Sequence, residues 1–222
     1  MVEISTSILN VDSEKSMKIF YNLETAHTDY FHIDVMDGKF VEADTTAKME
    51  KYSEYLNHIT LIPLDVHLMV ENVREYVDKF LVFKPNTITF QIEALKTKQE
   101  VIDTIKYIQS NNCKTGIAIK PNTKIEEITE YLSYLHQVII MTVEPGKGGQ
   151  ELIESTIDKI AKLKKYIEEN NIDIDIEADG GINTDNVEKV KQAGANIIVA
   201  GTAIIDSEDF KQTINELKNN VK

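Results

Sequence analysis

Residues 30–38 read YFHIDVMDG, a β-rich apolar run interrupted by His32 and Asp34 and closed by a turn at Asp37 and Gly38. Runs of the same character stand at 2–8 (VEISTSI), 64–70 (LDVHLMV), 87–93 (TITFQIE), 115–120 (TGIAIK), 137–143 (QVIIMTV), 173–179 (DIDIEAD) and 196–200 (NIIVA). Short runs rich in β-branched residues read as strands. Amphipathic segments lie between them. Val101, Ile102, Ile105 and Ile108 share one helix face, as do Ile125, Ile128, Leu132 and Leu135. The longest such set is Ile153, Ile157, Ile160, Leu163 and Ile167. Asp12 with Lys15, Asn72 with Glu75 and Thr123 with Glu126 read as helix starts, the last two in the manner of a capping box. Strands and helices that alternate without hairpin signals call for parallel strands joined by right-handed crossovers. About eight such units of roughly 28 residues predict a single-domain (β/α)8 TIM barrel over residues 1–222. An open doubly wound sheet is the alternative, and the first turn, SILNVDSEK, lacks the glycines of a dinucleotide-binding loop.

The chain carries 24 Lys and Arg against 37 Asp and Glu, a formal charge of −13, with 42% hydrophobic residues, 9 Gly and 4 Pro. That composition sustains a full apolar core and excludes disordered and collagen-like classes. The acidic balance argues against a general nucleic-acid binder, which needs clustered Lys and Arg, yet it permits a small anion held by backbone amides. Cys113 stands alone, so no intrachain disulfide or CxxC zinc site is possible and a reducing cytoplasm is expected. No apolar run nears the roughly 18 residues of a membrane span. The opening MVEISTSILN lacks the basic-then-apolar order of a signal, so neither a membrane nor an export route is expected.

Polar residues concentrate where the strands end, which in a barrel is where chemistry is found. His32 and Asp34 are two apart on one strand and share a face with Met36; Asp65, His67 and Met69 share a face on the next, and Glu177 and Asp179 on the seventh. Taken together, His32, Asp34, His67 and Asp179 offer mixed nitrogen and oxygen ligands, which suit one divalent Zn, Fe, Mn or Co ion better than Ca or Mg. His27, His58 and His136 fall at helix ends or in loops and read as structural. A second signal is glycine: EPGKGG at 144–149 followed by Gln150, DGGI at 179–182 and AGTA at 200–203. Glycines let backbone N–H groups approach an anion closely, and in barrels phosphate commonly rests on the loops after the last two strands. Carboxylates and glycine turns together predict a phosphorylated small molecule whose reacting carbon lies near the metal.

SIL at 7–9, HIDVMDG at 32–38 with its continuing FV, LDVHLMV at 64–70, MTVEPGKGGQ at 141–150, EADGGI at 177–182 and AGTAI at 200–204 occur in order and nearly span the chain. In these motifs the sequence resembles the ribulose-phosphate 3-epimerase family, a TIM barrel of the ribulose-phosphate-binding type. The resemblance implies a metal-dependent isomerase of the pentose phosphate pathway that interconverts D-ribulose 5-phosphate and D-xylulose 5-phosphate. It further implies His32, Asp34, His67 and Asp179 as metal ligands, with Asp34 and Asp179 also the acid and base. Ser7, His67, Met36, Met69 and Met141 match positions at the substrate, and Gly146, Gly148, Gly149, Gly180, Gly181, Gly201 and Thr202 match the phosphate loops. Dimers or hexamers of the same chain are expected from the family. The chemistry agrees: inverting a carbon beside a ketone needs a base on one face and an acid on the other. Polarizable methionine sulfur can border the planar enediolate without donating protons to it.

Three positions depart from the family pattern. Gln91 stands where a His is usual, Lys147 replaces a customary Phe, and the loop after HIDVMDGKFV continues EADTTAK over 42–48. The last change lies beside the metal position and leaves substrate length open, so a D-allulose-6-phosphate 3-epimerase is the alternative. A non-catalytic sugar-phosphate binder is a further reading. A phosphate-binding barrel decarboxylase would show an Asp-x-Lys array, and LDVHLM has no Lys.

Overall fold

The computed structural model describes residues 2–219. The β-rich runs form β1 (Glu3–Ser7), β2 (Tyr30–Met36), β3 (Leu64–Met69), β4 (Thr87–Gln91), β5 (Lys114–Ile119), β6 (Gln137–Met141), β7 (Asp175–Asp179) and β8 (Ile197–Ala200). They pair in chain order, all parallel, and β8 returns to β1, closing the barrel. Closure leaves no sheet edge, so each strand finds backbone partners on both sides. Around it run α1 (Ser16–Thr25), α2 (Thr46–Ile59), α3 (Val73–Leu81), α4 (Lys98–Ser110), α5 (Ser155–Glu169), α6 (Val187–Ala193), α7 (Thr202–Ile205) and α8 (Phe210–Asn219). No helix among the described residues is long and apolar enough to cross a membrane.

The strand period of two divides the side chains into two shells. Phe31, Ile33, Val35, Val66, Leu68, Ile88 and Phe90 belong to the large apolar cluster that the helices cover. From the helix side come Val101, Ile105 and Ile108 of α4 and Ile160, Leu163 and Ile167 of α5, all buried. Ile153 lies before α5 begins. Burying each of these side chains contributes roughly 1.5–3 kcal/mol. Many alternate positions are buried but polar: Ser5, His32, Asp34, Asp65, His67, Thr89, Gln91, Gln137, Glu177 and Asp179, beside a smaller apolar cluster that includes Ala118, Ile139 and Met141. This second shell fills the barrel interior. Gly116, in the middle of β5, makes room for it, since a Cβ there would lie 2.3 Å from Thr89 Oγ1 and 2.7 Å from Gln137 Cγ.

Two local expectations are corrected. Residues 125–135 do not form an α-helix; short 3-10 turns occur at Ile125–Glu127 and Leu132–Tyr134. Ile128, Leu132 and Leu135 are still buried, because a single turn of either helix brings residues three or four apart to one side. The run is rich in β-branched Ile125, Ile128 and Thr129, which weakens the α-helix. Side chains from elsewhere satisfy its entry: Lys159 Nζ donates to the carbonyls of Lys120, Pro121 and Thr123 at 2.9, 2.6 and 2.7 Å. Thr123 itself donates to Glu93 and caps nothing. Likewise α1 starts after Lys15 without a side-chain cap, whereas Asn72 does precede α3 but its amide donates to Glu75. A reciprocal capping box is formed instead at α4, where Thr97 Oγ1 accepts the Glu100 N–H at 3.2 Å and Glu100 accepts the Thr97 N–H at 3.0 Å.

Candidate active site

Parallel pairing of β2 with β3 sets His32 beside Asp65 and Asp34 beside His67. Because β7 brings Asp179 to the same height, four side chains meet at the C-terminal end of the barrel. His32 Nε2 lies 3.3 Å from Asp34 Oδ1 and 3.7 Å from Asp179 Oδ2; His67 Nδ1 lies 3.5 Å and 3.3 Å from the same two oxygens. One ligand atom from each residue falls within 4.8 Å of all the others. Both imidazoles are fully buried, and Asp34 and Asp179 are 6% and 7% exposed.

These spacings fit a shared cation. Two donors about 2.1 Å from one ion at a tetrahedral angle are about 3.4 Å apart. The donor chemistry agrees as well, since neither His32 Nε2 nor His67 Nδ1 has a hydrogen-bond partner among the described residues, although both are buried. Buried polar nitrogens without partners are costly unless something is meant to fill them. The electrostatics point the same way. Burial disfavours a charged His32, but Asp34 and Asp65 outweigh it and hold the ring well above its ordinary pKa. Against the same burial, the neighbouring carboxylates of Asp179 and Asp34 push His67 up to about 9. Burial would raise Asp34, yet His32 and His67 hold its carboxyl far below the usual range. The cluster demands positive charge.

A cavity of about 570 Å³ opens above it. Asp34 and Asp179 line its floor with Ser7, Met36, Met69 and Met141, whereas His32 and His67 lie beneath that surface. Ser7 Oγ donates to Asp34 Oδ2 at 2.7 Å, leaving Asp34 Oδ1 for the histidines. Thr45 Oγ1 donates to the Asp34 carbonyl at 2.7 Å and accepts the Met36 N–H, tying the chain to the end of β2 just before α2; of the expected 42–48 loop, residues 46–48 are already the first turn of that helix.

The other wall is glycine. Gly146, Gly148, Gly149, Gly180, Gly181, Gly201 and Thr202 all line the cavity. At Gly181, φ is +68° and a Cβ would lie 2.5 Å from the Leu152 backbone nitrogen, so the turn after β7 must approach the following loop without a side chain. Gln150 gathers the EPGKGG turn by donating to the carbonyls of Glu144 and Lys147 at 2.7 and 2.8 Å. Lys147 lines the cavity among Glu144, Glu151 and Glu154. Asn10, Asn183 and Asn186 also face it, without a spacing or motif that would have marked them.

Below the histidines is a layer that sequence reading left outside the site, although Asp65 and Glu177 each sit two residues before a predicted ligand. His32 Nδ1 lies 2.8 Å from Asp65 Oδ2 and 3.3 Å from Glu177 Oε1. Gln137 Nε2 shares its two hydrogens among Asp65 Oδ1, Thr89 Oγ1 and Glu177 Oε2 at 3.1, 2.9 and 2.8 Å. Burial, and then the charge of Asp65, raise the Glu177 carboxyl well above its ordinary pKa. Burial is outweighed at Asp65 by His32, and its pKa is about 2. Gln91 reaches His67 from β4, with 3.0 Å between its Nε2 and His67 Nε2.

Residues 3–205 match the sequence model of the ribulose-phosphate 3-epimerase family. The chain is 37% identical to the ribulose-phosphate 3-epimerase of Methanocaldococcus jannaschii, covering 98% of this chain and 90% of that one. Identity to the enzymes of the same name is 35% in Escherichia coli K12, over 97% and 94%, and 34% in Bacillus subtilis, over 98% and 99%. Among solved structures a 3-hexulose-6-phosphate synthase superposes with a TM-score of 0.73 at 13% identity, over 99% and 100% of the two chains. That likeness concerns the barrel alone.

Proposed function

The chain belongs to the ribulose-phosphate 3-epimerase family, and from that membership we propose that it epimerises D-ribulose 5-phosphate and D-xylulose 5-phosphate at C3. One observation carries the reading: the carboxylates of Asp34 and Asp179 converge at the floor of a cavity whose wall is built of glycine turns. One carboxylate takes the C3 proton from one face of the sugar, and the other returns a proton to the opposite face. The roles exchange in the reverse direction. Ser7, by donating to Asp34 Oδ2, keeps that carboxylate from rotating away from the floor. Met36, Met69 and Met141 exclude water and stray proton donors from the flat enediolate between the two acids. Backbone N–H groups of the turns at Gly146–Gly149, Gly180–Gly181 and Gly201–Thr202 receive the phosphate, which lets an acidic protein bind an anion. His32, Asp34, His67 and Asp179 would hold one Zn, Fe, Mn or Co ion. When bound, such an ion supplies a positive charge and Lewis acidity that favour negative charge on neighbouring oxygen.

The test is exchange of the C3 hydrogen with solvent deuterium, scored beside turnover on D-ribulose 5-phosphate and D-allulose 6-phosphate. Exchange and faster turnover of the pentulose are expected. Absence of exchange from metal-supplied protein would leave only a sugar-phosphate binder, and preference for the hexulose would move the substrate to the alternative that the 42–48 loop raises. A reducing cytoplasm is part of the same proposal, supported by Cys113 being the single cysteine of the sequence. So is self-association into dimers or hexamers, for which Met17, Tyr21, Leu61 and Val82 supply exposed apolar surface; light scattering measures the mass.

A further inference from the structure

The two histidines are supported from below by chemically different partners. His32 has its Nδ1 against Asp65 Oδ2 at 2.8 Å, while its Nε2 faces Asp34 and Asp179. Asp65 cannot turn away, because Oδ2 also accepts Ser5 Oγ–H at 2.9 Å and Oδ1 accepts Gln137 at 3.1 Å. A carboxylate fixed in this way takes a proton on Nδ1 and leaves the Nε2 lone pair directed at the cluster. His67 is turned the other way: Nδ1 faces the two carboxylates and Nε2 faces the amide of Gln91. Gln91 is fully buried, and its Oε1 has no partner among the described residues. If the amide nitrogen donates to His67 Nε2, the ring proton is forced onto Nδ1, where it faces the carboxylates. A half-turn of the amide brings the unpartnered oxygen to the same place, where it accepts Nε2–H and frees the Nδ1 lone pair.

We propose that Asp65 and Gln91 are positioning residues that dictate which ring nitrogen each histidine offers to a metal, Nε2 from His32 and Nδ1 from His67. This rests on the metal reading above and goes beyond it by assigning the tautomers to two residues outside the ligand set. Outer partners of metal-bound histidines orient the ring and raise its basicity, and their loss typically weakens binding about 10–100-fold. Asp65→Asn has one oxygen where two are in use, so it must disappoint either Gln137 or the Ser5 and His32 donors. Gln91→Leu leaves His67 Nε2–H buried without an acceptor, whereas Gln91→Glu restores an acceptor oxygen.

The experiment uses the full chain with 15N-labelled histidine, freed of metal by a chelator and titrated with Zn2+. Two-bond 1H–15N correlation spectra identify which imidazole nitrogens coordinate. The expected result at one equivalent is His32 bound through Nε2 and His67 through Nδ1, with the other nitrogen of each ring protonated. The opposite nitrogens would overturn the assignment while leaving the metal site standing. No change at either ring would overturn the metal reading itself. In parallel, Zn2+ affinity by chelator competition should fall about 10–100-fold in Asp65→Asn and Gln91→Leu and recover in Gln91→Glu to within about threefold of the unsubstituted chain. Folded variants with unchanged affinity, or a Gln91→Glu variant as weak as Gln91→Leu, would refute the role of these residues; the spectra of the unsubstituted chain decide the question even if a variant fails to fold.

Discussion

Raising the pH should have opposite effects on the metal-stripped protein and on its affinity for a cation. His67 is held at about 9, above the ordinary 6.5, by its carboxylate neighbours despite burial. A histidine whose folded-state pKa is raised adds stability that is complete below its unfolded value, and this stability is lost as pH climbs through the folded value. For His67 that window runs from pH 6.5 to about 9, and the shift corresponds to about 3 kcal/mol. The stripped protein should therefore melt at progressively lower temperature across this range. A cation at Nδ1 must displace the same proton. At pH 7, about two units below the His67 value, competition costs about 100-fold in affinity, and binding should strengthen roughly tenfold per pH unit up to about 9. His32 is raised as well and adds to the slope. Calorimetry of Zn2+ binding at pH 7 in two buffers of different ionisation enthalpy counts the displaced protons, and at least one per ion is expected. An affinity that is flat from pH 7 to 9, with no proton released, would refute the claim that the ion and the imidazole protons occupy one place.

Asp34→Asn and Asp179→Asn should each lower turnover by about 10²–10⁴-fold with the barrel intact; near-native turnover in either would remove that carboxylate from proton transfer. Gly181→Ala, at φ +68° and 2.5 Å from the Leu152 nitrogen, should raise the KM for the phosphorylated substrate at least tenfold more than it lowers kcat. An unchanged KM would mean that the turn after β7 does not hold the phosphate. Lys159→Met deprives three carbonyls of their donor and should cost about 2 kcal/mol or more in denaturant unfolding while leaving kcat and KM unchanged. A silent substitution would show that the crossover between β5 and β6 holds without it.

The strands were legible because β-branched runs with period two carry their own signal, and the convergence of His32, Asp34, His67 and Asp179 was legible because each stands near a strand end on the inward face. The segment 125–135 was not, since Ile128, Leu132 and Leu135 meet the core in a 3-10 turn as readily as in an α-helix. Its entry is held from a distance, by a lysine on α5 and by Glu93, both more than one element away. Gly116 misleads in a different way: glycine inside a strand normally weakens it, and only the Thr89 and Gln137 side chains filling the barrel at that height give it a purpose.

The pairs Asp65–His67 and Glu177–Asp179 show the same limit at the site. Two residues along a strand advance about 6.6 Å, so one face of β3 and one face of β7 each place a first member deep in the barrel and a second at its mouth. Alternation alone therefore implies two polar layers, but it does not say which residues of different strands stand at one level. The register does: His32 pairs with Asp65 and Asp34 with His67, two residues apart on the same two strands. His32 consequently spans both layers, with Nδ1 on the carboxylate below and Nε2 on the cluster above. Its position gives the buried Asp65, Gln137 and Glu177 a purpose in a barrel interior that would ordinarily be apolar: Asp65, itself held by Gln137, fixes Nδ1 of the His32 ring whose Nε2 faces the cluster, and an aliphatic residue in its place would leave that nitrogen without its acceptor.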